Sequence, residues 1–394
     1  MQIGVVGKPS TGKSTLFKAA TLADVAIAAY PFTTIKPNSG IGFVKIDCID
    51  VEFHVQCNPK EGFCSKGQRF LPVQLIDVAG LVPGAHEGKG MGNQFLSDLN
   101  QADALIHVVD MAGATNEKGE AVQPGSYDPA RDVQFLEIEL DMWYLSILKK
   151  GWEKLSRKVT SGKGNVAVAV AEQMSGLRVT EAMVKEIIRE YPETMDKWDE
   201  TLLIQLARVL RQKSKPMIVA ANKMDLSTAE ANLKRMQTTF PSVLFIPCAG
   251  DAELALREAL KKGLIEYVPG EDHFVMKEGL SAQQKTALEH INKTVLQKFG
   301  STGVQDALNK VVFDLLHYVA IYPGGANKLE DREGHILYDC FLMPPGSTAI
   351  DFAFRLHTDI GRNFVKAIDV KTKRVVGKDH ILKHRDVIEI AIKK

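Results

Sequence analysis

The chain has 394 residues, 49 Lys+Arg against 48 Asp+Glu, a formal net charge of +1 and 45% hydrophobic residues. This is ordinary globular composition with room for two to three domains; it excludes wholesale disorder, a collagen-like repeat, a disulfide scaffold and a uniformly basic coat for nucleic acid. No run of 18 or more apolar residues occurs, and the first residues lack the charged lead and apolar core of a signal peptide, so a cytoplasmic protein that does not span a membrane is expected.

Residues 2–6 read as a short buried strand. GKPSTGKST follows at 7–15, and then a segment of helical character. Strand, GxxxxGK[ST] and helix together make a phosphate-binding P-loop. Its glycines let backbone N–H groups turn in around phosphate oxygens, and the helix aims its positive end at the same anion. Gly7, Pro9, Ser10, Thr11, Gly12, Lys13, Ser14 and Thr15 are therefore candidate nucleotide-binding residues. Lys13 would reach the β- and γ-phosphates, and Ser14 would ligate Mg²⁺.

YPFTTIKPNSG at 30–40 offers a threonine that could close over the metal, Thr34 before Thr33. The next apolar strand, 73–76, ends in DVAGL at 77–81. Asp77 suits the Mg²⁺ shell, and Gly80 would let a backbone N–H approach the γ-phosphate. P-loop followed by DxxG is the order of a GTPase-type switch. Leu81 stands where many such proteins place a water-orienting glutamine, and leucine can neither donate nor accept. Slow intrinsic turnover is expected, with Lys13, Thr34, Gly80 and Leu81 as the catalytic set. The glycine-rich segment beyond reads as a mobile loop, and His86 within it reads as an exposed residue before a water-positioning one.

Residues 217–222 form a further apolar strand ending in Asn222, Lys223, Met224 and Asp225. NKxD in this place fits guanine recognition, since a carboxylate can accept from N1–H and the exocyclic amine. Such pairing discriminates by about 10⁴-fold or more. Lys223 would lie along the base and Asn222 would tie this loop to the P-loop. After a strand at 243–246, Cys248 and Ala249 complete the candidate nucleotide-binding set, Cys248 as a packed thiol and Ala249 offering a backbone N–H to guanine O6.

Between Asp77 and Asn222 roughly 80 residues exceed what two βα units need, too many for a structureless loop. Asp128 and Pro129 resemble a helix start. Leu136, Leu140, Trp143 and Ile147 then recur at helical spacing. Segments 167–174, 179–188 and 202–210 look helical too, which reads as a helical hairpin projecting from the core. Lys149, Lys150, Lys154, Arg157, Lys158 and Lys163 make its far end basic. It is either a solvated turn or a surface for RNA phosphates. Residues 283–298 read as helix. The C-terminal pattern is strands at 318–322 and 340–342, PPGST, an amphipathic run at 349–360, and strands at 364–370 and 387–392. Lys366, Lys371, Lys373, Arg374, Lys378, Lys383 and Arg385 make it locally basic. His357, His380 and His384 read as loop or surface residues.

The five cysteines, Cys48, Cys57, Cys64, Cys248 and Cys340, read as reduced thiols. The Cys57–Cys64 spacing is not that of a close zinc pair. Cys48 could add a third thiolate, but the sequence places no fourth ligand.

YPFTTIKPNSG, DVAGLVPGAHEGKGMGNQFL, the helical insertion and the C-terminal segment together resemble the Obg-related GTPases, most closely the YchF (Obg-like ATPase) family. The resemblance runs over essentially the whole chain. It implies an α/β P-loop G domain with a mostly parallel sheet and helices on both faces, a helical coiled-coil-like insertion and a small β-grasp-like TGS domain. The expected bounds are 1–127 and 211–310 for the G domain, 128–210 for the insertion and 316–394 for the TGS domain. It also implies a hydrophobic residue in place of the catalytic glutamine, matched by Leu81, and a link to the ribosome, ribosomal RNA or tRNA through insertion and TGS domain. Many members have lost NKxD and prefer ATP, whereas this sequence keeps Asn222, Lys223 and Asp225. The reading is thus a Mg²⁺-dependent GTPase switch binding GTP and GDP; an ATPase and a nucleotide-gated binding module with negligible turnover are the alternatives. Ser10 stands where the family's P-loops usually carry asparagine, which leaves potassium dependence open.

Overall fold

The computed structural model describes residues 1–21, 38–78, 98–162, 164–192, 195–325, 328–331 and 333–393. The chain forms two compact units: one of Met1–Ala19, Gln74–Ala255 and Ala282–Val304, the other of Ala20–Val73, Leu256–Ser281 and Gln305–Lys394. The strands of the first two-thirds of the chain are Gln2–Val6 (β1), Ser39–Asp47 (β2), Phe63–Ser65 (β3), Gln68–Asp77 (β4), Ala104–Asp110 (β5), Met217–Asn222 (β6) and Phe245–Pro247 (β7).

In the first unit a parallel sheet runs in the order β4–β1–β5–β6–β7, with residues 74–77 of β4 at one edge. All seven residues of β5 are buried, as are the last four of β1 and the last five of β6. Strands covered on both faces read as continuous apolar runs rather than alternations, which is why 2–6 and 217–222 stand out in the sequence. Parallel register brings the ends of β1, β4, β5 and β6 to one edge, where open α/β sheets bind ligands.

The insertion holds the helices Ala130–Lys149, Trp152–Thr160, Val166–Gln173, Glu181–Ile187 and Glu200–Ser214. Asp128 accepts the N–H of Ala130 at 3.0 Å, so it caps the first helix as its sequence suggests. The first and last of these helices run side by side in opposite senses, since Lys149 meets Glu200 at one end and Glu137 meets Arg211 at the other. Between them Asp141 Oδ1 accepts from Arg211 Nε at 2.9 Å, inside the packed interface.

The expected helical hairpin is rooted on the sheet. Leu136, Leu140, Trp143, Leu206 and Leu210 share one buried cluster with Val6, Ile76, Val78 and Leu105 of the sheet. The insertion thus meets the sheet through its first and last helices and continues in a core of its own helices, where Met174, Val184 and Trp198 are buried. The basic residues at the far end are partly neutralised: Lys149 pairs with Glu200, and Arg157 lies 3.5 Å from Glu153. Lys154 and Lys158 are exposed, and Lys163 is outside the described residues.

In the second unit β2, β3 and the first half of β4 lie together, β3 antiparallel to β4. Asn309 joins β2 as a rung of peptide would, accepting from Lys45 N–H at 2.8 Å and donating to Lys45 carbonyl at 2.9 Å. The C-terminal sheet comprises Val319–Pro323, Phe341–Met343, Phe364–Asp369, Arg374–Val376 and Val387–Ile392. The run at 349–360 is two helices, Ala349–Leu356 and Thr358–Arg362, separated by the extended residue His357. Thr348 and Asp351 form a capping box at the start of the first, and Phe352 packs into the core with Ile321, Ala367 and Ile388. The basic face there is partly spent on structure, because Lys371 and Arg385 both pair with Glu52. His384 is structural as well, accepting the N–H of Ala320 at 3.2 Å. Among the described residues no helix is long and apolar enough to cross a membrane.

His107 on β5 is 3% exposed, and its Nδ1 is buried with no partner among the described residues. Burial, helped by the charge of Lys8, lowers its pKa to about 3. The folded pKa lies below the unfolded one, so the unfolded state takes up the proton first as pH falls. Stability should therefore drop by about 1.4 kcal/mol per pH unit once pH passes below about 6.5, down to about 3. Urea titrations between pH 7 and pH 4 would show this slope, and His107→Gln should flatten it.

Candidate nucleotide-binding site

The loop after β1 runs straight into a helix, Lys13–Thr21, whose first turn is closed by Leu16 N–H donating to Gly12 carbonyl at 2.9 Å. Gly12 has φ +90°, and a Cβ there would stand 2.2 Å from Asn222 Nδ2. Both backbone and space demand glycine. Ser10 also takes a left-handed conformation, φ +63°. Asparagine tolerates that region better than serine, so asparagine at this position in related P-loops has a backbone rationale.

Asn222, at the end of β6, is 2% exposed. Its amide Nδ2 donates to Thr11 carbonyl at 2.8 Å, and its Oδ1 accepts from Gly250 N–H at 2.9 Å. One side chain thus joins the phosphate loop, the NKxD turn and the loop after β7. Lys223 sits at φ +64° and donates to Asp110 Oδ2 at 2.9 Å. Asp110, at the end of β5, also accepts from Ala112 N–H, Ala114 N–H and the Thr115 hydroxyl. Asp225 is exposed, and its carboxylate has no partner among the described residues.

Lys13 Nζ forms a salt bridge with Asp77 Oδ1, and Ser14 and Thr15 stand beside it on the first turn of the helix, Ser14 exposed. Lysine to phosphate and Asp77 to metal were the expected contacts. Here the two side chains neutralise each other, as opposite charges at one sheet edge do. Thr34, Gly80, Leu81, Thr33 and His86 lie outside the described residues.

Ala249 needs correction. Its N–H is donated to Thr302 carbonyl at 2.9 Å, so it is not offered to a base in this arrangement. Cys248 is buried as expected, its N–H on Ala221 carbonyl. Thr302 is held by its hydroxyl donating to Glu253 Oε2 at 2.6 Å. Beside it Gly303, φ +79°, lies so close to Pro247 that a Cβ would fall 1.8 Å from that carbonyl oxygen. The glycine-rich run GSTG at 300–303 was the only sequence signal for this contact.

Sequence reading also missed Lys8. It is buried, with Nζ 2.9 Å from Thr115 carbonyl, 2.8 Å from Asp132 Oδ2 and 3.8 Å from the Tyr127 ring centroid. Tyr127 donates its hydroxyl to Asp132 at 2.8 Å. Burial nevertheless pushes the Asp132 carboxyl above the usual range, against the pull of Lys8. This clamp fastens the start of the phosphate loop to the first helix of the insertion.

Three family models match along the chain: a 50S ribosome-binding GTPase over residues 2–137, the G4 motif-containing domain of the YGR210-like Obg-like GTPases over 220–325, and a TGS domain over 326–392. A GTP-binding protein of Methanocaldococcus jannaschii is 47% identical over 389 residues, 98% of each chain. The chain belongs to the YchF/Obg-like GTPase family. A solved GTP-binding protein of Pyrococcus horikoshii superposes on this YchF-family chain with a TM-score of 0.79 at 38% identity, covering all of both. The ribosome-binding ATPase YchF of Bacillus subtilis is 26% identical over 402 residues, 98% of this chain and 97% of its own. The family is one of P-loop nucleoside-triphosphate-binding proteins, and the sheet edge just described is built accordingly.

Proposed function

We propose that this YchF-family protein is a Mg²⁺-dependent GTPase switch that acts in the cytoplasm on ribosomes. The observation that carries the guanine reading is the pair of hydrogen bonds made by the Asn222 side chain. It draws the NKxD turn onto the phosphate loop and leaves the Asp225 carboxylate exposed for a base. The domain reading that goes with it is a G domain at 1–127 and 211–310, interrupted by the insertion at 128–210 and followed by a TGS domain at 316–394.

Gly7, Pro9, Ser10, Thr11 and Gly12 would cradle the phosphates. Ser14 and Asp77, with Thr34, are an all-oxygen donor set that suits Mg²⁺. When bound, the ion would neutralise charge on the β- and γ-phosphates. Lys13 would leave Asp77 for the same phosphates, freeing the carboxylate at the moment the metal shell needs it. Gly80 would place its N–H on the γ-phosphate. With Leu81 unable to orient water, rate depends on positioning and charge, and stays slow without a partner. Lys154 and Lys158 on the insertion and Lys366, Lys373, Arg374 and Lys378 near the C-terminus are exposed cations suited to ribosomal RNA or tRNA.

Calorimetric titration of GTP and ATP with Mg²⁺ tests the base assignment. Wild type should prefer GTP, and Asp225→Asn should lose roughly a hundredfold or more in GTP affinity, since the variant turns one acceptor oxygen into an N–H donor facing a guanine donor. One observation favours the ATPase reading instead: the Ala249 N–H is already spent on Thr302, which removes a donor to guanine O6. Equal or tighter ATP binding, unchanged by the substitution, would give that reading the lead.

A further inference from the structure

The sequence segment between β2 and β4 gathers three thiols and a carboxylate into one group, with Cys48, Asp50 and Cys57 buried and Cys64 half-buried. Cys48 follows directly on β2, its N–H donated to Gly67 carbonyl at 2.7 Å. The next residues wind into a turn in which Phe53 N–H reaches Ile49 carbonyl and Val55 N–H reaches Asp50 carbonyl. This turn carries Asp50 back over the strands, where its Oδ2 accepts the N–H of Cys57 at 3.3 Å. Cys64 enters from β3. Gly62, φ +72°, places that strand where a Cβ would lie 2.0 Å from Phe70 carbonyl oxygen.

The sulfurs of Cys48 and Cys57 are 3.6 Å apart, and Cys64 Sγ is 3.7 Å from Asp50 Oδ2. One donor atom from each of the four residues lies within 4.8 Å of all the others. In a tetrahedral zinc site with Zn–S of 2.3 Å the sulfur–sulfur edge is about 3.8 Å. An iron–sulfur cluster would hold the cysteine sulfurs on its different irons well farther apart. Cys48, Cys57 and Asp50 are 1%, 5% and 4% exposed. Asp50 Oδ1 is buried with no hydrogen-bond partner, and no lysine or arginine pairs with Asp50 among the described residues. A buried carboxylate without a counter-charge is costly, and a thiol is too weak a donor to replace one.

We propose that Cys48, Asp50, Cys57 and Cys64 form a tetrahedral site for a thiophilic divalent cation, zinc by ligand type, that staples this loop. On binding, each coordinating thiol gives its proton to solvent and its sulfur pair to the metal, with no redox change. Two other groups of possible ligands fit worse. In Asp331, Glu333 and His335, Lys60 Nζ already sits 2.7 Å from Asp331 and 3.1 Å from Glu333. In Glu271, Asp272 and His273, Lys45 holds Glu271 at 2.8 Å. A disulfide between Cys48 and Cys57 would leave Cys64 and Asp50 unexplained.

Reduced full-length protein is loaded with ZnCl₂, gel-filtered and assayed for metal by mass spectrometry, with a parallel Co²⁺ titration. About one retained zinc per chain is expected, and a cobalt form with thiolate charge-transfer absorption and intense tetrahedral d–d bands. Cys64→Ser and Asp50→Asn should each lower metal affinity by about tenfold or more, while Cys340→Ser, Cys248→Ser and His335→Ala leave it unchanged. No zinc retained by the reduced wild type, or a cobalt form without charge-transfer absorption, overturns the proposal. So does unchanged affinity in Cys64→Ser. Should that variant fail to fold by circular dichroism, Asp50→Asn decides, and an unchanged cobalt spectrum counts against the site.

Discussion

Lys8→Met should destabilise the protein by about 3–5 kcal/mol at neutral pH, because it strands a buried carboxylate. Lys8 and Asp132 have side chains 6% and 7% exposed and face each other at 2.8 Å. Methionine fills the stem's volume but supplies no charge, leaving Asp132 with the Tyr127 hydroxyl alone. Asp132, already raised by burial, would then hold its proton still more tightly in the folded state than in the unfolded one. The penalty is present above the unfolded carboxylate pKa and fades as pH falls towards it, so the variant's deficit should shrink in acid. The double variant Lys8→Met/Asp132→Asn removes the orphan charge while keeping an acceptor for Tyr127, and should recover most of the loss. Urea unfolding of the wild type and both variants at pH 7 and pH 5 would check the sign and the rescue.

Lys13→Ala should lower nucleoside-triphosphate turnover by about 10²–10³-fold while costing little stability. Its partner Asp77 has a side chain 20% exposed, so water replaces the lost lysine there. The loss falls instead on the phosphates, where no other described lysine stands on the first turn of this helix. Single-turnover hydrolysis, measured beside urea unfolding, separates the two effects. A variant that unfolds early without losing rate would mean that the Lys13–Asp77 pair is structural and nothing more.

The phosphate loop and NKxD were legible because each is a local word, a strand leading into a turn of a few fixed residues, with Gly12 in the first at φ +90°. The same locality explains the insertion's helices, whose apolar spacing and Asp128 cap are written in consecutive residues. Where two neighbours compete, locality fails. Ala249 looked like a free donor until Thr302, more than fifty residues later, supplied its acceptor. How the insertion is rooted on the sheet was not legible, because periodicity reports which face is apolar, not what covers it.

By itself, then, the amino-acid sequence determined the α/β class, the P-loop and NKxD motifs and the family resemblance, all carried by contacts a few residues long. Only the tertiary structure decided that Lys8 clamps Asp132, that Asn222 bridges Thr11 and Gly250, and that Asp50 completes the group of Cys48, Cys57 and Cys64. Most of these join residues far apart in the chain, and the last depends on a turn that folds the chain back on itself. Backbone propensity carries no information about such meetings; burial and charge pairing in the folded chain do.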